Sequence, residues 1–318
     1  MREYHVSLFR PINIWKDFKA LYQTLWIIRK EKPDIIHCHS AKGGIVGRTA
    51  GFIIGIKTLY TPHAFSYLCT PSMIKRYIFL AVERQTRFNA YVLAYSKSER
   101  LQAVDDVGYS SGNVLVWHNA VPDASLEKGK AVGTRLPYIC YVGRPCCQKN
   151  TLVLLDVIKK VLDRGCSLNF VLLGVGYHLP ELEAMRARIA DLHLDNIVCL
   201  VPWISHANCQ EYVSKSLFYV STALYEGLPL TVIEAMANGK AIVASDVAGN
   251  SDCAKESVNG FLLPLNVDVF ADRIIRLVND EDLRMAMGRK SREIFLDEFF
   301  IEKQILKQQK IYERCASE

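Results

Sequence analysis

Short apolar runs alternate with helical patterns along the whole 318-residue chain, and this alternation limits the fold more than any other feature. The nine runs, rich in Val, Ile and Tyr, are "DIIHC", "KTLYT", "AYVLAYS", "NVLVWHN", "YICYVG", "LNFVLLG", "NIVCLV", "LFYVST" and "AIVASD". Runs that are apolar throughout, rather than at every second residue, are typical of parallel strands covered by helices on both faces. The sequence therefore predicts an α/β fold with doubly wound parallel sheets.

Residues 119–137 interrupt this alternation and predict a domain linker. The segment, "NAVPDASLEKGKAVGTRLP", contains Gly, Pro and basic residues and has no periodic apolar pattern. We expect an N-terminal domain over residues 1–120 and a C-terminal domain over 137–298. The tail, 299–318, repeats apolar residues at helical spacing and predicts an amphipathic helix on a neighbouring surface, with the first domain as one candidate.

The charge is distributed unevenly. Residues 1–120 hold 16 Lys and Arg against 8 Asp and Glu, a balance of +8, whereas the rest hold 23 against 25, a balance of −2. An anionic partner, such as a membrane surface or a phosphate-bearing substrate, is expected for the first domain. The basic residues are dispersed along helices without an aromatic-basic motif, so no nucleic acid is expected.

One helical segment of the basic half admits two interpretations. Residues 72–88 mix Lys75, Arg76, Arg84 and Arg87 with aromatic residues. They form either a core helix with a solvated face or a surface that binds membranes. The chain has no run of eighteen uncharged apolar residues, and its first twenty residues are too charged for a signal peptide, so we expect a cytoplasmic protein.

Neither cysteines nor acidic clusters predict a metal site. The ten cysteines lie in apolar runs without a C-x-x-C pair, which predicts buried, reduced thiols. Asp280-Glu281-Asp282 matches the D-x-D of metal-dependent sugar transferases, but it opens a helical pattern, where capping explains it better. His37 and His39 lie two residues apart on one strand face, and a structural role is favoured.

The strongest chemical signal is "YEGLPLTVIEAMANG", in which Glu226 and Glu234 lie eight positions apart. Pro229 suits the first turn of a helix that follows the strand "LFYVST", so Glu226 lies at the carboxyl edge of the sheet. The helix start offers backbone N–H groups to an anion, and Glu234 lies roughly 7.5 Å further along the axis. A nucleotide sugar could contact both carboxylates. The alternative is two ordinary glutamates on a helix face.

Three further side chains are expected at sheet edges. Arg144 and Lys149 follow the strand "YICYVG", and both cations can bind a phosphate at that edge. His63 follows the strand "KTLYT" in the first domain, where it could donate a hydrogen bond to a sugar hydroxyl or a phosphate oxygen. Taken singly, Arg144 and Lys149 are better explained as solvated surface residues and His63 as a packed or capping residue. It is the place of the two cations beside the Glu226 loop that favours a site.

Together, these segments resemble the retaining glycosyltransferases of family 4. The resemblance covers most of the chain and is strongest in "YVGRPCCQKN", "LLGVGYHLPEL" and "STALYEGLPLTVIEAMANGKAIVASDVAGN". It implies the GT-B architecture, in which two doubly wound, Rossmann-like domains face each other across a cleft. It also implies a nucleotide-sugar donor, a glycan or lipid-linked acceptor in bacterial surface polysaccharide or glycolipid synthesis, and no metal or other cofactor.

The resemblance also implies roles for individual residues. Glu226 would bind hydroxyls of the donor sugar and Glu234 those of the ribose, while Arg144 and Lys149 neutralise the departing diphosphate. Backbone amides near Gly227 and Leu228 would complete the phosphate site. His63 would approach the donor from the other domain.

Two alternatives stay open. The family begins with a strand and a glycine-rich loop, and the first residues here resemble a later strand and helix instead. We therefore expect the chain as given to bind nucleotide but to transfer sugar poorly, and a non-catalytic nucleotide-binding chain is one alternative. The other is a nucleotide-sugar epimerase of the same architecture, which would interconvert free nucleotide sugars rather than transfer them.

Overall fold

The computed structural model describes residues 2–9, 13–70, 72–123, 137–176 and 180–317. The chain divides into two compact units, one formed by Met1–His118 with Ile305–Glu318 and the other by Asn119–Gln304. The sequence placed the boundary between residues 120 and 137, and most of that segment, 124–136, lies outside the described residues.

The first unit is built on a parallel sheet of four strands in chain order. Its strands are β1 (Ile35–His39), β2 (Lys57–Thr61), β3 (Tyr91–Ala94) and β4 (Val114–Val116). The helices before and between them are α1 (Ile14–Glu31), α2 (Ala41–Ile54), α3 (Met73–Gln85) and α4 (Lys97–Leu101). Residues 2–9 form neither helix nor strand.

The second unit is built on a six-stranded parallel sheet. Its strands are β5 (Tyr138–Val142), β6 (Asn169–Leu173), β7 (Val198–Val201), β8 (Tyr219–Ser221), β9 (Ile242–Ser245) and β10 (Gly260–Leu263). Its helices are α5 (Thr151–Asp163), α6 (Pro180–Asp191), α7 (His206–Lys215), α8 (Leu230–Ala237), α9 (Asn250–Cys253), α10 (Val267–Asn279) and α11 (Glu281–Ile294). The strand order β10-β9-β8-β5-β6-β7 is that of a doubly wound Rossmann sheet, with its reversal between β5 and β8.

All nine apolar runs form strands, and the predicted α/β fold with two parallel sheets is confirmed. The sequence missed β10, whose "GFLL" begins with glycine and contains no β-branched residue. The structure explains that glycine, because a Cβ at Gly260 would lie 1.8 Å from the carbonyl oxygen of Ile242 on β9. A side chain there would prevent the two strands from pairing.

The last helix, α12 (Ile301–Ser317), ends on the first unit, where Cys315 is buried among Leu59, Tyr91 and Leu93 of β2 and β3.

All ten cysteines are free thiols, but Cys69, Cys147 and Cys199 are exposed, so the expectation of burial is wrong for these three. Asp280 caps α11 by accepting from the Leu283 N–H at 2.9 Å, as its position indicated. No helix of the described ranges is long and apolar enough to span a bilayer.

A buried ion pair joins the helices on one face of the first sheet. The guanidinium of Arg48 on α2, 1% exposed, donates to the Glu83 carboxylate on α3 at 2.8 Å and to the Tyr109 hydroxyl at 2.6 Å. The Tyr60 hydroxyl donates to the other oxygen of Glu83 at 3.0 Å. Desolvation makes such a network costly unless every partner is present.

We expect Arg48→Met to lower the free energy of unfolding by about 3–5 kcal/mol, because it leaves the Glu83 carboxylate buried and unpaired. Urea unfolding measures this. The double variant Arg48→Met/Glu83→Leu should recover much of the loss. Lys290→Met, which breaks an exposed pair with Glu293, should cost less than about 1 kcal/mol. Equal decreases in the free energy of unfolding for Arg48→Met and Lys290→Met would contradict the claim that the buried pair matters more than the exposed one.

Candidate active site

Two loops meet where the strand order of the second sheet reverses. One follows β5 and carries Arg144 and Lys149, and the other follows β8 and carries Glu226. Parallel sheets of this kind bind ligands outside the carboxyl ends of the strands at such a reversal. We expected both loops at one sheet edge from the sequence, and the pairing of β5 with β8 makes the two loops neighbours.

Hydrogen bonds fasten the two loops to each other. The backbone N–H of Leu224 donates to the Gln148 carbonyl at 2.8 Å, and the Gln148 side chain donates back to the Tyr225 carbonyl at 3.1 Å. The Thr222 hydroxyl donates to the Asn150 carbonyl at 3.1 Å. Because the bonds run in both directions, neither loop can shift without the other.

Glu226 lies at the centre of this junction and is 9% exposed. Its Oε1 accepts from the Lys149 ammonium at 2.6 Å and its Oε2 from the Gln148 amide at 3.3 Å. A carboxylate oxygen can accept more than one hydrogen bond, so Glu226 keeps capacity for ligand hydroxyls. From the sequence, Lys149 was expected to bind a phosphate and Glu226 a sugar. The ion pair between these two side chains was not predicted.

The loop that carries Glu226 is also packed from behind. Gly249, with φ of +82°, lies so close that a Cβ would meet the Gly227 carbonyl oxygen at 2.7 Å and the Glu226 carbonyl carbon at 2.9 Å. Only glycine permits both this conformation and this approach. The sequence "VAGN" thus contributes to the site without contributing a side chain.

Helix α8 begins one residue later than the sequence suggested. Pro229 is the N-cap residue rather than the first helical one, and no side chain caps the helix. The first N–H groups of α8 therefore have no capping side chain and suit an anion. Leu228, expected beside the phosphate, is buried, and its carbonyl accepts from the Asn119 amide at 3.4 Å.

Glu234 lies inside α8 with a partner that sequence analysis missed. Its Oε1 lies 2.9 Å from Nε2 of His206, the first residue of α7. The sequence around His206, "WISHANC", carries no motif that would have singled it out. Trp203, in the same loop after β7, is 73% exposed.

Arg144 is the most available cation of the site. Its side chain is exposed and has no hydrogen-bond or ion-pair partner among the described residues, in contrast to Lys149. A guanidinium can bind a phosphate through two parallel hydrogen bonds.

The first unit holds its own cluster at the carboxyl ends of β1 and β2. His63 Nε2 lies 3.0 Å from His39 Nδ1, and its ring packs edge-on against Tyr95. His63 and Ala64 adopt φ of 56° and 74°, in the left-handed region that non-glycine residues rarely occupy. The buried carboxylate of Glu99 stabilises this turn by accepting from the Ala64 N–H at 2.9 Å.

His37 lies beside this cluster and has one determined tautomer. The Thr61 hydroxyl donates to the Leu93 carbonyl at 3.1 Å, so it must accept from His37 Nε2 at 2.9 Å. His37 Nδ1 then accepts from the Tyr312 hydroxyl at 2.7 Å, which ties α12 to β1. These contacts support the structural role expected for His37.

His37, His39 and His63 all favour the neutral form. Burial, reinforced by His39 and His63, lowers the pKa of His37 to about 4. Burial also lowers the pKa of His39, and burial together with His39 lowers the pKa of His63. A neutral His63 keeps one nitrogen able to accept and one able to donate.

The family models cover nearly the whole chain. Residues 125–294 match the model described as Glycosyl transferases group 1, and residues 2–125 match that described as Glycosyltransferase Family 4. The chain belongs to the group 1 glycosyl transferases. This group 1 glycosyltransferase is 26% identical over 321 residues to the UDP-Gal:alpha-D-GlcNAc-diphosphoundecaprenol alpha-1,3-galactosyltransferase of Escherichia coli, covering 96% of this chain and 82% of that protein.

Solved structures share the fold of this glycosyltransferase. Sucrose-phosphate synthase from Thermosynechococcus elongatus superimposes with a TM-score of 0.81 at 20% identity, covering 96% of this chain and 80% of that one. Anabaena Alr3699/HepE, solved in complex with UDP, gives 0.77 at 20% identity, covering 94% and 82%. The GT-B type predicted from the sequence is confirmed, whereas retention of configuration and the lack of a glycine-rich loop stay predictions.

Acid should destabilise the first unit through His37. Because its folded pKa of about 4 lies below the ordinary 6.5, the unfolded chain binds the proton more tightly. The free energy of unfolding should therefore fall as the pH decreases from about 6.5 to about 4, by up to about 1.4 kcal/mol per pH unit. Urea unfolding between pH 7 and pH 5 tests this.

His37→Gln should reduce that pH dependence, leaving the smaller contributions of His39 and His63, whereas His5→Gln, at an exposed position, should leave it unchanged. The same slope in the wild type and in His37→Gln would rule out His37 as its source.

Proposed function

We propose that this glycosyltransferase moves a sugar from a nucleotide-sugar donor to a glycan or lipid-linked acceptor, with retention of the anomeric configuration. The observation that supports this best is the Glu226–Lys149 ion pair at the strand-order reversal, with Glu234 on the helix that starts beside it. A diphosphate at the start of α8 would lie between the two carboxylates. The Escherichia coli relative, named for transfer from UDP-Gal to a diphosphoundecaprenol-linked sugar, suggests a similar substrate pair and a role in bacterial surface polysaccharide or glycolipid synthesis.

The residues suit a mechanism governed by the leaving group. As the bond from the anomeric carbon to the diphosphate breaks, negative charge develops on the diphosphate. This charge would be stabilised by Arg144, Lys149 and the first N–H groups of α8. Glu226 would hold the sugar hydroxyls, and a phosphate oxygen of the leaving group would accept the proton of the attacking hydroxyl on the same face. His63 is proposed as the catalytic side chain of the first unit. No step requires a metal.

Transfer can be tested directly with a panel of nucleotide sugars. Net transfer to an added lipid-linked or free glycan acceptor supports the proposal. Interconversion of the free nucleotide sugar without an acceptor would support the epimerase instead. Nucleotide binding with neither reaction would favour a non-catalytic chain.

The two glutamates should respond differently to substitution. Glu226→Gln should lower kcat by roughly a hundredfold or more with little effect on nucleoside diphosphate affinity, because Glu226 would contact the reacting sugar. Glu234→Ala should weaken nucleoside diphosphate binding by about 1.5–3 kcal/mol, the value of a lost hydrogen bond to a charged group. Steady-state kinetics and calorimetry separate the two effects.

Glu293→Gln is the matched control, since that carboxylate is exposed and remote in sequence from both loops. It should change neither quantity. If Glu226→Gln and Glu234→Ala reduced nucleotide affinity equally, the assigned roles would be wrong.

We also propose that α3 binds anionic membranes, which would bring the enzyme to a lipid-linked acceptor. The first turns of α3 expose four apolar side chains, Met73, Ile74, Tyr77 and Ile78, beside the exposed Lys75 and Arg76. The only acidic residue of α3, Glu83, is buried and paired with Arg48, so the exposed charge of this helix is entirely positive. Apolar side chains flanked by cations are typical of interfacial helices.

Lys75→Gln/Arg76→Gln should weaken binding to phosphatidylglycerol vesicles roughly tenfold or more, at about 1 kcal/mol per basic residue near the surface. Cosedimentation at low and high salt measures this. Arg289→Gln/Lys290→Gln, which removes two exposed cations from α11, is the control. Absence of binding by the wild type even at low salt would refute the membrane proposal.

A further inference from the structure

The contact between His206 and Glu234 belongs to a chain of polar side chains that the proposed mechanism does not use. Asn238, at the end of α8, donates from Nδ2 to the Glu234 carbonyl at 2.9 Å and to Gln210 Oε1 at 2.7 Å. Gln210 Nε2 in turn lies 3.2 Å from His206 Nε2. The chain therefore starts and ends on Glu234, at its carbonyl and at its carboxylate.

The hydrogen bonds from Asn238 to Gln210 and from Gln210 to His206 help to determine where the His206 ring lies. The Asn238 amide is oriented by a backbone carbonyl, which can only accept, and it thereby orients the Gln210 amide with its NH2 group toward His206. Gln210 is 3% exposed, so its side chain is confined. When Nε2 carries no proton, the Gln210 N–H supports the ring of His206 from the protein side, although half of that side chain is exposed.

Nε2 of His206 lies near both the Glu234 carboxylate and the Gln210 NH2 group, and its tautomer decides which of the two it bonds. With the proton on Nε2, it donates to the Glu234 carboxylate, which only accepts. With the proton on Nδ1, the Nε2 lone pair accepts from Gln210, and Glu234 is left to ligand hydroxyls. The imidazole can thus orient the carboxylate without competing permanently for it.

We infer that His206 is a positioning residue that orients Glu234 for the ribose diol of the donor nucleotide. This inference rests on the proposed function. The Glu234 side chain is only 14% exposed, and His206 is its only hydrogen-bond partner among the described residues. A carboxylate held before binding loses less conformational entropy when the ligand arrives, so its orientation increases affinity.

Two substitutions separate positioning from general stability. His206→Gln places an amide N–H near the position of Nε2, whereas His206→Asn has a side chain too short to reach Glu234. Both are polar and occupy the first turn of α7, so thermal unfolding should be similar for the two. Calorimetry with UDP, GDP and ADP identifies the diphosphate that the wild type binds best. We expect His206→Asn to weaken its binding by roughly 5- to 20-fold and His206→Gln by less than about threefold.

The ligand provides the second test. With the corresponding 2′,3′-dideoxynucleoside diphosphate, which lacks the hydroxyls that Glu234 would bind, wild type and His206→Asn should bind equally. His206→Asn should likewise have no further effect in a Glu234→Ala background, because the interaction it removes is already absent.

The outcomes distinguish this inference from the proposed function. If the wild type binds no nucleoside diphosphate, or if Glu234→Ala has no effect, both are wrong. If Glu234→Ala weakens binding but His206→Asn does not, or weakens the dideoxy ligand equally, only the positioning role is overturned. Rescue by His206→Gln together with equal dideoxy affinities supports it.

Discussion

The candidate site depends on one ion pair, between Lys149 and Glu226, formed where two loops meet at the reversal of strand order. A buried carboxylate is stable only when paired and hydrogen-bonded, and here the partners come from the loop after the neighbouring strand. The backbone bonds between Leu224 and Gln148 and the close approach of Gly249 keep the two loops in register. The charge required for phosphate binding is therefore positioned by the same contacts that make the fold.

In the first unit, too, a buried carboxylate joins two loops, here around His63. Glu99, 1% exposed, accepts from the N–H groups of Ala64 and Tyr95 and so joins the loops after β2 and β3. That support offsets the cost of the left-handed backbone at His63 and Ala64, about 1–3 kcal/mol for each such residue. In both units, a buried carboxylate at the carboxyl ends of adjacent strands determines where a candidate functional side chain lies.

Much of this architecture follows from sequence pattern. Apolar runs predicted nine strands because a strand covered on both faces excludes polar residues, and strand ends identified the loops of Arg144, Glu226 and His63. The contacts of His206 could not be predicted, because they depend on how α7 packs against α8 rather than on local spacing. The start of α8 was misplaced by one residue, since proline is compatible with both the cap and the first turn. The strand β10 was missed because its glycine reflects contact with β9, which periodicity does not reveal.

Glu226 and Glu234 differ in their partners, and the difference suits the two roles proposed for them. Glu226 pairs with a lysine, so its charge is neutralised where a departing diphosphate would add more negative charge, and it retains acceptor capacity for a neutral sugar. Glu234 faces a histidine instead, which can donate a hydrogen bond or, after a change of tautomer, accept one from Gln210. A permanent cation at that position would compete continuously with ribose hydroxyls. A group that can exchange partners would orient the carboxylate and still release it to the ligand.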